Sequence, residues 1–333
     1  MVKITLIPGD GIGPEITKVV KTIFQELKLP IEWEECLAGQ TALEKLNDPL
    51  PKETIDSLSR TKLGLKGPLA TPSIEGFKSI NLTLRQHFNL YANLRPTKSF
   101  QGIKTRYDNI DLVVVRENTE ELYSGIERFV GRNRESAETI SVVTKKGSER
   151  IIRFAFEYAL QNKRKKITLV HKANILKCTS GLFLAAGRNI AKEYPKVKFD
   201  EKIIDNMCMQ LVMNPQQFDV IVSTNLFGDI LSDLTAGLIG GLGIAPSANI
   251  GESTSIFEAV HGSAPDIAGK NVANPTALLL SGAMLLDHLN HPVESEKIRK
   301  AVAEVIREGK YLTRDLGGKA STTEYQNAIL KKL

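Results

Sequence analysis

The first residues of this chain constrain its fold most. A strand pattern, Val2–Ile7, passes through the glycine turn IPGDGIGPE directly into a helical pattern. There Ile16, Val19, Val20, Ile23, Phe24 and Leu27 recur on one helix face, and Pro14 stands in the first turn, where its missing N–H is tolerated. The alternation returns along the chain. Leu112–Val115, Ile167–Val170 and Phe218–Ser223 are compact apolar runs of the kind buried in a parallel sheet, and helical patterns cover about 148–161, 174–193 and 226–238. Repeated strand–helix pairs predict an α/β architecture with helices covering a mostly parallel sheet. Segments 71–110 and 237–251 are rich in turn residues and read equally as crossings between domains or as loops lining a cleft.

Composition narrows the class. With 333 residues, 42% of them hydrophobic and 25% charged, the chain is an ordinary globular protein of about two domains at roughly 150 residues each. Its net charge of +6 is scattered. The densest cluster, Lys163–Lys166 with Arg164 inside it, has no interleaved aromatic residues and reads as a solvated helix end rather than a nucleic-acid contact. Cys36, Cys178 and Cys208 stand far apart with no CxxC pair, so neither a disulfide framework nor a zinc site is expected. No basic segment followed by an apolar core opens the chain, and the apolar stretch near 276–286 is shorter than the roughly 20 residues a membrane span needs. These features lead to the expectation of a soluble, cytoplasmic protein with no nucleic-acid or membrane partner.

Several constellations could carry chemistry. GDGIG at 9–13 is a turn whose amides and following helix could meet an anion, but it is neither the G-x-G-x-x-G fingerprint nor a Walker loop, and a plain tight turn reads as well. In NLFGDILSD, Asp229 and Asp233 stand four apart on one helix face, where Mg²⁺ or Mn²⁺ would offset their repulsion; Asp205 offers a third carboxylate. Equally, Asp229 could cap the helix while Asp233 faces water. Arg85, Arg95 and Arg116 would suit a di- or tricarboxylate if they converged, because the guanidinium fork pairs with carboxylates. Arg116 stands out because it ends the buried run LVVV. Lys172 follows the strand KITLV, at the end of a strand where open α/β sheets bind ligands, and is a candidate base; Tyr123 is a candidate acid. A surface lysine and a half-buried tyrosine are the alternatives.

Taken in order, IPGDGIGPE, SINLTLR, YANLRP, RENTEELYSGIE, HKANI, DNMCMQLVMNP, NLFGDILSD, GGLGIAPSANIG, FEAVHGSAPDIAGKNVANP and TRDLGG resemble the β-decarboxylating dehydrogenases over residues 2–328. That family includes isocitrate, homoisocitrate, 3-isopropylmalate and tartrate dehydrogenases. The resemblance implies a two-domain α/β fold of the isocitrate/isopropylmalate dehydrogenase kind, not a standard Rossmann domain. It implies a large cofactor-binding domain at 1–98 and 250–333, a smaller domain at 99–249 with a dimer clasp, and a homodimer that shares its active sites. By motif, Asp205, Asp229 and Asp233 look like ligands of Mg²⁺ or Mn²⁺, with Asp205 supplied by the other chain of the dimer. Arg85, Arg95 and Arg116 look like a carboxylate clamp, Lys172, from the other chain of the dimer, like the base that takes the hydroxyl proton, and Tyr123 like the acid that protonates the enol.

Ser79 and Asn81 match the isocitrate pattern SxNxxLR, whereas isopropylmalate members carry an acidic and apolar pair there. Isocitrate is therefore the expected substrate, with homoisocitrate second. Asp266 and Ile267 replace the Lys-Tyr pair of NADP-using members; a carboxylate there accepts ribose hydroxyls and repels a 2′-phosphate, so NAD is expected. His261, Gly262, Ala264 and Asn274 resemble the adenosine loop, and Ile7, Thr71, Asn225 and Glu258 the nicotinamide side. Asp315 stands where NADP enzymes bind phosphate. Two departures are Glu121, where glycine is frequent, and the stretch Lys177–Ser180 after HKANI. A non-catalytic regulatory chain is the alternative class, against which the matched residues all stand intact.

Overall fold

The computed structural model describes residues 1–70 and 79–333. Its strands are β1 (Val2–Ile7), β2 (Ile31–Glu35), β3 (Leu63–Lys66), β4 (Ala92–Lys98), β5 (Asp111–Glu117) and β6 (Glu127–Val130). They continue with β7 (Ser136–Thr139), β8 (Lys166–His171), β9 (Lys198–Ile203), β10 (Val220–Ser223), β11 (Pro246–Ile250) and β12 (Ser255–Ala259). The helices are α1 (Gly13–Glu26), α2 (Gln40–Leu46), α3 (Lys52–Thr61), α4 (Ile80–His87), α5 (Lys145–Gln161) and α6 (Thr179–Ala191). Beyond them lie α7 (Ile204–Met213), α8 (Asn225–Ile239), α9 (Thr276–His288), α10 (Pro292–Glu308) and α11 (Thr322–Leu330).

The chain forms two compact units. The first comprises Met1–Phe88, Ser99–Asn109 and Ala236–Leu333; the second, Asn89–Lys98 and Ile110–Thr235. The expected boundaries at 98/99 and 249/250 shift for a physical reason. Strand β4 pairs with β5 from Ala92↔Glu117 to Lys98↔Asp111, which draws 89–98 into the second unit. Strand β11 pairs with β12 from Pro246↔Ala259 to Ile250↔Ser255, which draws the segment before residue 250 into the first.

In the first unit β2, β1, β3 and β12 run parallel, with β11 antiparallel to β12. Ile4, Leu6, Ile16, Val20, Ile23, Leu65, Phe257 and Leu279 are buried in its core, each side chain contributing about 1.5–3 kcal/mol by leaving water. In the second unit β5, β10, β8 and β9 run parallel, with β4 antiparallel to β5. Val113–Val115, Ile167, Leu169 and Val220–Val222 are fully buried, as the apolar runs predict. Because β5, β8 and β10 are parallel, they release the chain at one common edge.

Local differences from the sequence pattern have causes. The helix expected from 174 begins at Thr179, because Ile175 and Leu176 are exposed and the chain first turns, with Leu176 N–H donating to the Lys172 carbonyl. The run expected as strand from Phe218 enters the sheet at Val220, after a short turn at Pro215–Gln217. The basic cluster is tied to acids: Arg164 pairs with Asp111 and Asp219, and Lys166 with Asp200. Among the described residues no helix is long and apolar enough to cross a membrane. The three cysteines are free thiols.

The glycine turn is held from within. The amides of Asp10, Ile12 and Gly13 donate to the carbonyls of Pro68, Ser263 and Asp10, so the option of an anion cradle at these amides is not realised. Gly11, at φ +59°, lies so close to Ser263 that a Cβ would overlap its carbonyl oxygen. The buried Asp10 carboxylate accepts from the amides of Gln40, Thr41 and Ala70 and from the Thr41 hydroxyl, at 2.7–2.9 Å. It thus caps α2 and pins the segment ending at Ala70. Asp10→Ala is expected to lower stability by about 3 kcal/mol or more in denaturant titration, since bonds to a charged group contribute roughly 1.5–3 kcal/mol each. A loss under about 0.5 kcal/mol would show that water replaces the carboxylate without cost.

Candidate active site

Arg116 is the penultimate residue of β5 and is 1% exposed, so its charge must be met by protein. Strand pairing supplies the partners. Ser223 on β10 stands opposite Arg116, and two residues later Asn225 opens α8. The Asn225 Oδ1 accepts from Arg116 Nε at 3.0 Å and Nη2 at 2.7 Å, while Nη1 bonds to Asp229 Oδ1 one helical turn on. The guanidinium carbon lies 5.0 Å from the centre of the Tyr123 ring. This close approach depends on Gly228, a residue that no motif singles out: a Cβ there would stand 2.6 Å from Arg116 Cγ and 2.9 Å from Ser223 Oγ.

The i,i+4 spacing in α8 brings Asp229 and Asp233 to one face, where Arg95 from β4 reaches both. Its Nη1 donates to Ser232 Oγ at 2.6 Å and Asp233 Oδ1 at 3.2 Å, and lies 3.8 Å from Asp229 Oδ1. Asp229 does not cap its helix, since it stands in the second turn. The Tyr123 hydroxyl donates to Asp229 Oδ2 at 2.5 Å. Burial and that carboxylate raise the phenol above its ordinary pKa, with Arg116 opposing, so Tyr123 keeps its proton at neutral pH. Burial also raises Asp233, helped by the negative charge of Asp229 and opposed by Arg95.

The two carboxylates, 36% and 56% exposed at the side chain, fit a hard divalent cation: oxygen donors, a shared face, and a like-charge repulsion that a cation removes. Among the described residues no third His, Cys, Asp or Glu completes the set. Asp205 is engaged elsewhere. On the first turn of α7 it accepts from Lys172 Nζ at 2.5 Å, and that contact holds its carboxyl below the usual range. Lys172 and Asp205 therefore pair with each other and, among the described residues, with no member of the Arg95–Arg116–Tyr123–Asp229–Asp233 group.

In the first unit, Glu258 on β12 is buried among cations. Its carboxylate meets Lys66 at 2.6 Å and Arg85 at 3.3 Å and accepts from Asn249 at 2.7 Å. These charges hold its carboxyl far below the usual range despite the opposing effect of burial. Arg85 is thus an ion-pair partner of Glu258 in a different unit from Arg95 and Arg116. Ser79 caps α4, accepting from Leu82 N–H at 3.4 Å. The Asn81 amide oxygen is buried without a hydrogen-bond partner among the described residues.

The residues expected to hold the dinucleotide take varied places. His261 Nδ1 lies 3.0 Å from the Gly262 carbonyl, and burial lowers its pKa, favouring the neutral ring; its Nε2 is buried without a partner among the described residues. Such orphaned atoms mark where a bound molecule would complete the hydrogen bonding. Asn274 Nδ2 donates to Asp315 Oδ2 at 2.8 Å, and its Oδ1 accepts from Thr276 N–H at the start of α9. Ala264 adopts φ +39° before the turn Pro265–Ile267, which leaves Asp266 exposed. Ile7 is fully buried and its carbonyl accepts from Gly67, so it is a core residue. Asn225, for its part, accepts from Arg116 with Oδ1 and donates from Nδ2 to the Glu120 carbonyl. Thr71 lies outside the described residues.

The family model described as isocitrate/isopropylmalate dehydrogenase matches residues 3–329. The chain belongs to this family. It is 55% identical to a mitochondrial regulatory subunit of NAD isocitrate dehydrogenase from Dictyostelium discoideum, covering 99% of this chain and 92% of that protein. It is 52% identical to the mitochondrial catalytic subunit 5 of NAD isocitrate dehydrogenase from Arabidopsis thaliana, covering 99% and 88%. The solved structure of isocitrate dehydrogenase from Methylococcus capsulatus superposes with a TM-score of 0.97 at 54% identity, over 100% of this chain and 99% of that one. The fold is therefore that of the isocitrate/isopropylmalate dehydrogenases, and the chain is a decarboxylating dehydrogenase of that family. The expectation of a cytoplasmic location is overturned by the two curated relatives, which are mitochondrial. A chain that opens directly on a strand carries no information about compartment.

Gly228→Ala tests the packing on which the site rests. It is expected to displace Arg116 and lower catalytic turnover about 100-fold, the scale of a 1 Å misplacement. Steady-state kinetics and a crystal structure of the variant measure it; full activity with Arg116 in place would remove Gly228 from the site.

Proposed function

We propose that the chain catalyses NAD-dependent oxidative decarboxylation of isocitrate to 2-oxoglutarate and CO₂, assisted by Mg²⁺ or Mn²⁺. The observation that carries this reading is the cluster in which Arg95, Arg116 and Tyr123 surround the carboxylates of Asp229 and Asp233. Asp229 and Asp233, with Asp205 of a neighbouring chain, would hold the cation, which would supply Lewis-acid polarisation of a substrate oxygen and offset developing negative charge. Arg95 and Arg116 orient substrate carboxylates by charge-assisted hydrogen bonds. Lys172 of the neighbouring chain takes the proton of the 2-hydroxyl group as the hydrogen on C2 leaves as hydride to NAD. Tyr123, which keeps its proton at neutral pH, delivers it to the carbon that loses the carboxylate.

Ser79 and Asn81, both short and polar, support a carboxylate-bearing substrate over one with an apolar branch; homoisocitrate shares that chemistry and is the second substrate reading. The exposed Asp266 beside Ile267 supports NAD, because a carboxylate there repels a 2′-phosphate. Assembly of more than one chain is supported by the hairpin β6–β7 and its flanks, which leave Ile126, Phe129, Val130 and Ile140 exposed. The isolation of the Lys172–Asp205 pair supports the same reading, in which this pair serves the site of an adjoining chain. The relatives are named as subunits, so the expected homodimer widens to pairing with an identical or a related chain. The regulatory name of one relative favours a non-catalytic reading, against which the clustered charges stand.

Initial rates with isocitrate, homoisocitrate and 3-isopropylmalate, each with NAD and NADP and Mn²⁺, test the proposal. Turnover confined to isocitrate and NAD, abolished by chelator, is expected; no turnover of any of the three would establish the non-catalytic reading. Lys172→Met should lower kcat by about 10²–10⁴-fold while isocitrate still binds by calorimetry. Near-normal kcat would remove Lys172 as base. Asp266→Lys with Ile267→Tyr should shift the NAD/NADP ratio of kcat/KM towards NADP by about tenfold or more. An unchanged ratio would sink the specificity argument.

A further inference from the structure

Glu121 holds a backbone conformation that its residue type disfavours. Its φ of +68° and ψ of −139° lie in the mirror image of the β region, which glycine enters freely and a residue with a Cβ does not. The surrounding bonds explain why the strain persists. The Glu121 amide donates to the Val142 carbonyl at 2.7 Å, and its carbonyl accepts from Ser124 N–H at 3.2 Å, closing the short turn Leu122–Ser124 that carries Tyr123.

The side chain reaches α8. It is buried, and its Oε2 accepts from Leu226 N–H at 2.6 Å while Oε1 accepts from the Thr224 hydroxyl at 3.3 Å. Leu226 belongs to the first turn of α8, whose amides have no acceptor within the helix and whose positive end favours a carboxylate. Next to it, Asn225 Nδ2 donates to the Glu120 carbonyl at 3.2 Å. Two residues after Glu121, the Tyr123 hydroxyl meets Asp229 on the same helix. The segment therefore grips α8 at two points, Leu226 and Asp229, through side chains two residues apart.

We propose that Glu121 is a positioning residue that sets Tyr123 against Asp229 by anchoring the tyrosine's turn to the amino end of α8. This rests on the reading of Tyr123 as proton donor. The strained backbone and the buried carboxylate are two halves of one device: the conformation aims the side chain at Leu226, and the bond to Leu226 retains the conformation. A glycine would adopt the backbone without strain and lose the anchor, so the turn can still form in that variant while the positioning is lost.

Glu121→Gly and Glu121→Gln make the test, each alone and with Tyr123→Phe. Glu121→Gly is expected to fold, to lose about 10- to 100-fold in kcat, and to change KM for isocitrate less than about threefold. Tyr123→Phe should add little to that loss, because residues acting as a unit are not additive. Glu121→Gln keeps an acceptor for Leu226 and should recover most of kcat. In the unliganded protein, exchange of the Leu226 amide should quicken about tenfold in the glycine variant and stay slow in the glutamine variant. Parental kcat in Glu121→Gly, or losses that multiply independently with Tyr123→Phe, would overturn the proposal. If the parent chain turned over none of the three substrates, the activity reading would fall, and Leu226 exchange would decide the anchor alone. Faster exchange in the glycine variant would uphold it, and unchanged exchange would overturn it.

Discussion

A guanidinium buried at the end of a central strand cannot remain unpartnered, and much of the second unit is arranged around that requirement. Arg116 is 1% exposed, where an unmet charge would be costly. The parallel register of β5 and β10 brings the start of α8 beside it, Asn225 accepts two of its N–H groups, and Asp229 supplies the counter-charge. Gly228 allows the approach, and Tyr123 lies against the cation. Once Arg116 is satisfied, the orientation of α8 and of the acids it presents follows with little freedom.

The same economy of charge governs the other groups. Glu258 is buried yet ionised because Lys66 and Arg85 flank it. The linkage has a definite sign: a depressed carboxyl pKa contributes stability that is present above the unfolded value, about 4.3, and lost as pH falls toward the folded one. Asp205 and Lys172 neutralise each other at the ends of neighbouring elements. Asp229 and Asp233 present two acids on one helix face, met by Arg95 and Arg116, and their oxygen donors would suit a divalent cation.

Much of this was legible in the sequence, but unevenly. The apolar runs VVV, ITLV and VIVS located the buried strands because burial on both faces demands continuous hydrophobic residues. The i,i+4 spacing placed Asp229 and Asp233 together because helix periodicity is local. The domain boundaries shifted because β4 and β11 pair with strands distant along the chain, and such pairing has no local signature. Asn225 and Ile7 take places their motifs do not foretell: one accepts two N–H groups of Arg116 and the other is buried in the core. Gly228 carries no signal of its own, because a close approach is visible only from the neighbour it admits. Glu121 stands out as a departure, yet nothing along the chain connects its carboxylate to Leu226 until the fold is known.

By itself the sequence determined the α/β class, the family through its ordered motifs, the facing pair of acids and the residues that could clamp carboxylates. Those properties are set by patterns within one element or by short contiguous motifs. Only the tertiary structure decided which arginine meets which acid, that Lys172 and Asp205 form a pair apart, that Asp10 serves the fold, and that the strained Glu121 reaches the first turn of α8. Those depend on side chains far apart in the chain meeting in space. A hydrogen bond or ion pair acts over about 3 Å, and no spacing along a chain encodes that distance until the strands have found their register.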